Sequence, residues 1–384
     1  MRLHLPSIDD EELEEIREVL ASGYLTQGAK TQELEQAVAQ LTGRKHAFAM
    51  SSCTTALHLS LVALGIGPGD EVLVADFTFP ATANVVVQQG AKPVLVDIDL
   101  DTFTMDPDDL REKITCRSKA IIPVHAFGCS ADMDPIVQIA KEHGLAIIED
   151  AACAIGATYK ERPCGGIGDL GCFSFHPRKV ITTGEGGAIV TDRAELAERI
   201  QILRNHGGVR TGYWYRYEAA GFNYRLSDVL GALGVAQMRK LASLNAQKRT
   251  LAKKLRELVS EIPGVRPPTE PPWGGHIYQS FVILLDEGLD RDRIVGELRN
   301  RDIEATLGTY AIHAQPFYQR EYGHAAGDVP RSHAAFRRTI ALPFYAQMSE
   351  ADLDLVAAVL REAIAAAPGR RVRRAGVGPR MEAE

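Results

Sequence analysis

Short runs of almost unbroken apolar residues alternate with helical patterns through the first half of the chain, and this constrains the fold more than any other feature. HAFAM (His46–Met50) is followed by a helical stretch over 54–64, and EVLVA (Glu71–Ala75) by one over 81–89. PVLVD (93–97) and KAIIPV (119–124) are further strand patterns; a helix over 134–143 then leads into LAIIE (145–149). Strands with no polar alternate face have no wet side, so the sheet is largely parallel and covered by helices on both faces. CFSF (172–175) and GAIVT (187–191) add two strands whose connection is too short for a helical crossover, which predicts an antiparallel pair. The expected class is α/β, with a large domain built on a mostly parallel mixed sheet.

The remaining chain is less regular. Helices are expected over 9–22, with an acidic start, and over 31–42. A long helical stretch runs over 226–261, and the Pro- and Gly-rich segment PGVRPPTEPPWGG (263–275) then reads as a linker or domain-edge loop. A strand over 279–285 and helices over 291–301 and 351–365 suggest a smaller α/β unit. The division is therefore 1–245 for the large domain, 246–367 for the small one, and 368–384 for a basic, then polar tail expected to be disordered. The net charge of −7 argues against a general nucleic-acid binder. Six cysteines with no C-x-x-C pair suggest reduced thiols, neither a disulfide framework nor a zinc site. The first residues lack an apolar signal core, and no apolar run approaches the ~20 residues that span a bilayer. A soluble, cytoplasmic protein without membrane or nucleic-acid partners is expected.

Chemistry concentrates in a few loops. Lys179 lies in SFHPRKVITTGEGG just past a strand, where a rigid scaffold can present an amine for Schiff-base chemistry. Asp150 closes an apolar strand at its carboxyl end, where open α/β sheets place ligands. A carboxylate there suits a cofactor's pyridine nitrogen, though helix capping accounts for it equally well. In SSCTTAL (51–57), Cys53 and Thr54 stand where a helix N-terminus can hold a phosphate; a plain helix cap is the simpler reading. Phe79, in DFTFP, is an aromatic that could stack on a flat ring or sit in the core. Asn223 and Arg225, in GFNYR, suit phosphate contacts or an exposed loop. His313 is a candidate substrate contact or a core histidine, and His206 a structural one. G-x-G-x-x-G at 166–171 leads into a strand instead of following one and opening a helix, so it is rejected as a dinucleotide site. No P-loop motif occurs.

In this order, SGYLTQGAKTQELE, SSCTTALHLSL, FTFPATANVV, IIEDAACAIGA, GDLGCFSFHPRKVITTGEGG, LRNHG, GFNYRLSD and LPFY resemble the DegT/DnrJ/EryC1/StrS family of sugar aminotransferases, over about residues 5–360. The resemblance implies a type I fold that binds pyridoxal 5'-phosphate (PLP), with pyridoxamine phosphate as the intermediate form. It implies that Lys179 carries PLP as a Schiff base and that Asp150 pairs with its pyridinium nitrogen. Ser174 and the backbone at Cys53 and Thr54 would bind the phosphate, and Phe79 would stack on the ring. Asn223 would reach a neighbouring subunit's phosphate, making a homodimer with shared sites, and Thr26 and Gly28 would contact the sugar. Cys53 stands where the family often has Gly, and Cys153 where it often has His or Gln beside the cofactor.

Lysine rather than histidine at position 179 favours transamination over sugar dehydration. ITTGEGG is similar to members that aminate C4 of a nucleotide-linked 4-keto-6-deoxy sugar, the perosamine type, with glutamate as donor. A C3-keto sugar or cyclitol aminotransferase of the same family, or a non-catalytic regulator with this fold, are the alternatives. Arg225 and Arg216 are candidates for the substrate's pyrophosphate. Proton transfer by Lys179 asks for an amine near neutral pKa, lowered by desolvation and a neighbouring cationic centre.

Overall fold

The apolar runs assemble side by side in the computed structural model, which describes residues 1–366. β1 (His46–Met50), β2 (Glu71–Ala75), β3 (Lys92–Val96), β4 (Ser118–Ile122) and β5 (Ala146–Asp150) join the strands Leu170–Ser174 and Gly187–Thr191 in one seven-stranded sheet. Its order is β1, Gly187–Thr191, Leu170–Ser174, β5, β4, β2, β3. Only Gly187–Thr191 runs against its neighbours, as the short connection from Leu170–Ser174 requires; the other pairings are parallel.

Helices cover both faces. α1 (Asp10–Ser22) and α2 (Ala29–Thr42) pack on the long helix Asp228–Ser260, and α3 (Cys53–Leu64) and α4 (Ala81–Gln88) on the other side of the sheet. The start of α3 is fixed by a reciprocal cap: Thr55 N donates to Ser52 Oγ and Ser52 N to Thr55 Oγ1, both at 3.1 Å. The start of α2 has no cap of its own. The Asp228 carboxylate supplies one from a distance, accepting from the backbone of Gly28 (3.0 Å) and Thr31 (2.7 Å) and from Thr31 Oγ1 (2.9 Å). Gly231 lets the two helices meet this closely, since a Cβ there would sit 2.8 Å from Thr31 N.

A second, antiparallel sheet orders Val265–Arg266, Phe281–Leu285, Thr339–Leu342 and Thr306–Leu307. Leu255 and Val259 of the long helix, with Leu353 and Val356 of Glu350–Ala365, bury against Phe281 and Ile283 there. The first residues of the chain close on this unit: Glu304 N donates to Met1 O and Phe344 N to Leu3 O, each at 3.0 Å. The 263–275 segment is more than a linker. It provides an edge strand to the second sheet, and Gly274–Gly275 pairs with Thr158–Tyr159. The hairpin Gly208–Thr211/Trp214–Tyr217 and the helices Ala194–Leu203, Pro316–Tyr322 and Pro330–Arg338 had no counterpart in the sequence reading. The tail expected over 368–384 lies outside the described residues. Among the described residues no helix is long and apolar enough to cross a membrane.

Candidate active site

Parallel strands bring their carboxyl ends to one edge, and the chemistry-bearing loops follow β1, β2, β5 and Leu170–Ser174 there. Asp150, the last residue of β5, is 5% exposed. Its Oδ2 accepts from Thr82 Oγ1 at 2.8 Å and its Oδ1 from Ala152 N at 3.1 Å. No ion pair among the described residues includes it. A buried carboxylate without a cation is costly, so this one is prepared for a positively charged partner. A protonated pyridine nitrogen is such a partner, and this is the observation on which the site fits PLP.

Lys179 lies in a closed loop. Thr183 N donates to Phe175 O at 2.9 Å, and Lys179 N to His176 O at 2.8 Å. Two outside contacts hold the loop: Thr182 N donates to Gln237 Oε1 of the long helix (3.1 Å), and Gln279 Nε2 to Arg178 O (2.6 Å). Lys179 as a whole is half-buried, with its amine the enclosed end; Nζ lies 3.0 Å from Cys153 Sγ. Burial works to lower this amine's pKa, but the charge interaction and hydrogen bond of Cys153, with Cys53 and Asp150 behind them, reverse the effect and raise it. This corrects the expectation of a lowered amine. The groups around Nζ are thiols and a carboxylate, and the cationic centre invoked from the sequence is not among them.

The phosphate end is equally defined. Ser52 takes the Thr55 N–H, while the N–H groups of Cys53 and Thr54, in the first turn of α3, make no hydrogen bond among the described residues. Gly187 faces them; a Cβ there would lie 2.6 Å from Cys53 N. Ser174 is buried at the end of its strand, and its Oγ accepts from His176 N at 3.4 Å. Two free N–H groups at a helix N-terminus and a serine hydroxyl are a donor set for a phosphate.

Other residues singled out in the sequence fall at varying distances from this centre. Phe79 is exposed, 63%, with its ring edge-on to Tyr310 at 6.1 Å. Asn223 is exposed and bridges to Asn205 through its backbone. Arg225 points a guanidinium nitrogen at Asn205 Oδ1, and Arg216 pairs with Glu218 on the exposed hairpin. Thr26 and Gly28 are both tied to Asp228, through a carbonyl (3.2 Å) and an N–H (3.0 Å). His313 is 1% exposed. Its Nδ1 lies 2.7 Å from Asp76 Oδ2 and its Nε2 3.1 Å from His333 Nδ1, so both ring nitrogens are engaged. The structure gives it the core role that the sequence left as its alternative.

Thr82, in the first turn of α4, orients Asp150 and was not singled out in the sequence, although its hydroxyl also meets that of Thr78 in the preceding loop. The rejected glycine-rich run does bind an anion, but an internal one. Gly165 N donates to Glu149 Oε2 (2.7 Å), and Ile167 N and Gly168 N to Glu149 Oε1 (2.6 Å each).

The model of the DegT/DnrJ/EryC1/StrS aminotransferase family matches residues 6–361. The spore coat polysaccharide biosynthesis protein SpsC of Bacillus subtilis (strain 168) is 39% identical over 373 residues, covering 94% of this chain and 96% of SpsC. Spr1654 of Streptococcus pneumoniae, solved in PMP and PLP forms, superposes with a TM-score of 0.91 at 27% and 28% identity, covering 95% of this chain and 99% and 98% of its own. The 3-amino-5-hydroxybenzoic acid synthase structure gives 0.90 at 28% identity, covering 94% of this chain and 98% of its own. The chain belongs to the DegT/DnrJ/EryC1/StrS aminotransferase family, whose members work through PLP.

Proposed function

We propose that this aminotransferase converts a nucleotide-linked 4-keto-6-deoxy sugar to the 4-amino sugar with glutamate as donor, in a homodimer whose sites are shared. The observation that carries the catalytic part is the buried carboxylate of Asp150, outside any ion pair among the described residues, in the crevice that also takes the enclosed amine of Lys179. Bound PLP supplies an electron sink that lets a proton leave the carbon beside the transferred nitrogen. The rest falls to the chain's own residues. Asp150 keeps the proton on the pyridine nitrogen, and Thr82 and the Ala152 N–H fix the direction in which the carboxylate points. The free N–H groups of Cys53 and Thr54, with Ser174, hold the phosphate. Phe79 covers one face of the ring. With PLP bound, the amine of Lys179 would be the group placed to take up and return that carbon's proton.

The sugar reading is supported by the polysaccharide pathway in the name of SpsC and by the ITTGEGG wording after Lys179. The likeness to an aminohydroxybenzoate synthase favours a second reading, a cyclic ketone that is not a nucleotide sugar, within the same chemistry. Exposed Asn223 supports a contact across a dimer, since its side chain makes no hydrogen bond to the described residues of its own chain.

The test has two stages. The protein with PLP should show a visible band that glutamate shifts to the near ultraviolet; absence of any band after adding PLP would favour the regulator reading. Nucleotide-linked 4-keto and 3-keto sugars and cyclitol ketones are then supplied, and the products identified. Amination of a 4-keto sugar is expected, while selective amination of a 3-keto sugar or a cyclitol would replace the substrate assignment and leave the enzyme class standing.

A further inference from the structure

Four of the six cysteines are held inert. Cys53, Cys129, Cys164 and Cys172 are buried, and burial pushes each thiol up, Cys129 to about 12. Cys116 is exposed, and Cys153 is half-buried. Cys153 alone meets an amine: its sulfur lies 3.0 Å from Lys179 Nζ. A second buried amine, Lys248, also interacts with it by charge. The position of Cys153 is set by the turn after β5, where Ala154 N donates to Ala151 O at 2.9 Å, and that of Lys179 by its doubly held loop. Two reactive groups fixed at this separation need little motion to bond.

We propose that Cys153 and Lys179 form an oxidative cross-link site, at which hydrogen peroxide converts the pair to a sulfur–nitrogen sulfenamide and thereby competes with PLP for the same amine. The Cys153 sulfur attacks one peroxide oxygen; the O–O bond breaks, one water leaves, and the sulfur becomes a sulfenic acid. The Lys179 amine then attacks that sulfur. The S–N bond forms, the S–O bond breaks, and the hydroxyl leaves with an amine proton as a second water. One peroxide is reduced to two waters while the thiol and amine together lose two hydrogens and two electrons. Added thiol reverses the reaction by attack on sulfur, which restores Cys153 and releases the amine.

The surroundings favour the second step. Cys153 is the foremost of the groups that raise the Lys179 amine against burial, with Cys53 and Asp150 acting in the same direction. Oxidation of the sulfur removes the Cys153 contribution and so moves the amine towards the neutral nucleophile that burial, the largest influence on it, favours. Formation of the sulfenic acid thus prepares the amine that captures it.

The test uses the full-length protein, stripped of PLP with hydroxylamine or loaded with it. Each form is treated with hydrogen peroxide, digested and analysed by mass spectrometry. The expected product in the stripped protein is the Cys153 peptide joined to the Lys179 peptide, two hydrogens lighter than their sum. Dithiothreitol should separate the pair. Cys153→Ser and Lys179→Met should each abolish the link, and loading with PLP should suppress it at least several-fold. A Cys153 sulfenic or sulfinic acid with no link to Lys179 would overturn the proposal, and so would a link that forms equally with PLP bound. Oxidation confined to Cys116 would do the same. The readout is a mass, so a chain that transaminated none of the substrates above would still give the link; failure here is separable from failure of the proposed function.

Discussion

Thr82 gives its one hydroxyl to the Asp150 carboxylate. Bonds of that kind contribute about 1.5–3 kcal/mol, so Thr82→Val should lower kcat by roughly 10- to 100-fold while PLP remains bound. Steady-state rates and the visible spectrum of the purified variant check this; an unchanged kcat would mean that Ala152 N alone orients the carboxylate. Lys248 allows a sharper test. It is 1% exposed; its amine donates to Gln279 O (2.9 Å), lies over the Phe344 ring (5.1 Å) and interacts by charge with Cys153. Burial lowers its pKa from 10.5 to about 7. The unfolded chain then binds the proton between about pH 7 and 10.5 while the folded chain does not, so stability should rise with pH across that window. Lys248→Met should flatten the rise in urea-unfolding free energy measured from pH 7 to 10. At this scale Asp150, at the end of an apolar strand, and Lys179, in the loop beyond one, could be singled out as candidates from sequence. Thr82 and the engagement of His313 were not, since the first depends on a turn meeting a distant strand and the second on Asp76 and His333, which are far apart in the chain.

At the scale of elements, what could be read depended on where a helix or strand gets its stop and start signals. α3 carries its own cap in Ser52 and Thr55 and a left-handed Gly65 at its end, and its reading from sequence was correct to a residue. Pro330–Arg338 begins where Asp97 accepts from Arg331 N (3.0 Å) and Ser332 N (2.7 Å), a cap supplied by another part of the fold and therefore invisible locally. The α2 start is a third case, capped by Asp228. Asp228→Ala removes at least three bonds to one buried carboxylate and should cost about 2–4 kcal/mol, read as a lower urea midpoint at unchanged slope. The glycine-rich loop around Glu149 responds to acid. Burial pushes that carboxylate up, but His125 and the loop N–H groups outweigh it and leave the pKa below its usual 4.5. A depressed carboxylate stabilises the folded state above its unfolded pKa and loses that contribution as pH falls through the folded value. Stability should therefore drop below about pH 4.5, and Glu149→Gln, less stable at pH 7, should show a shallower fall from pH 5 to 3 in the same measurement.

Across the whole molecule, the two sheets share one long helix, and the first residues of the chain are sewn to the sheet made by the last. Apolar periodicity identified the strands of the large sheet and Phe281–Leu285 of the second, but not Val265–Arg266, Thr306–Leu307 or Thr339–Leu342, and nothing in residues 1–4 announced that they dock on Glu304 and Phe344. The His4 ring also faces the backbone of Phe344 and Lys179, so this short segment reaches the wall behind the catalytic loop. Deleting residues 1–4 should cost about 1–3 kcal/mol through two lost backbone bonds and the exposed edge they cover. A thermal midpoint lower by a few degrees and weaker PLP binding by fluorescence titration are expected; a lower midpoint with unchanged PLP affinity would confine the segment to a structural part. The same seam orders events at the ribosome. Residues 1–4 find their partners only after residues 304 and 344 have emerged, so the segment waits unpaired while the large sheet and the long helix are made. A tag fused ahead of residue 1 would be drawn towards the wall behind the catalytic loop when this seam closes.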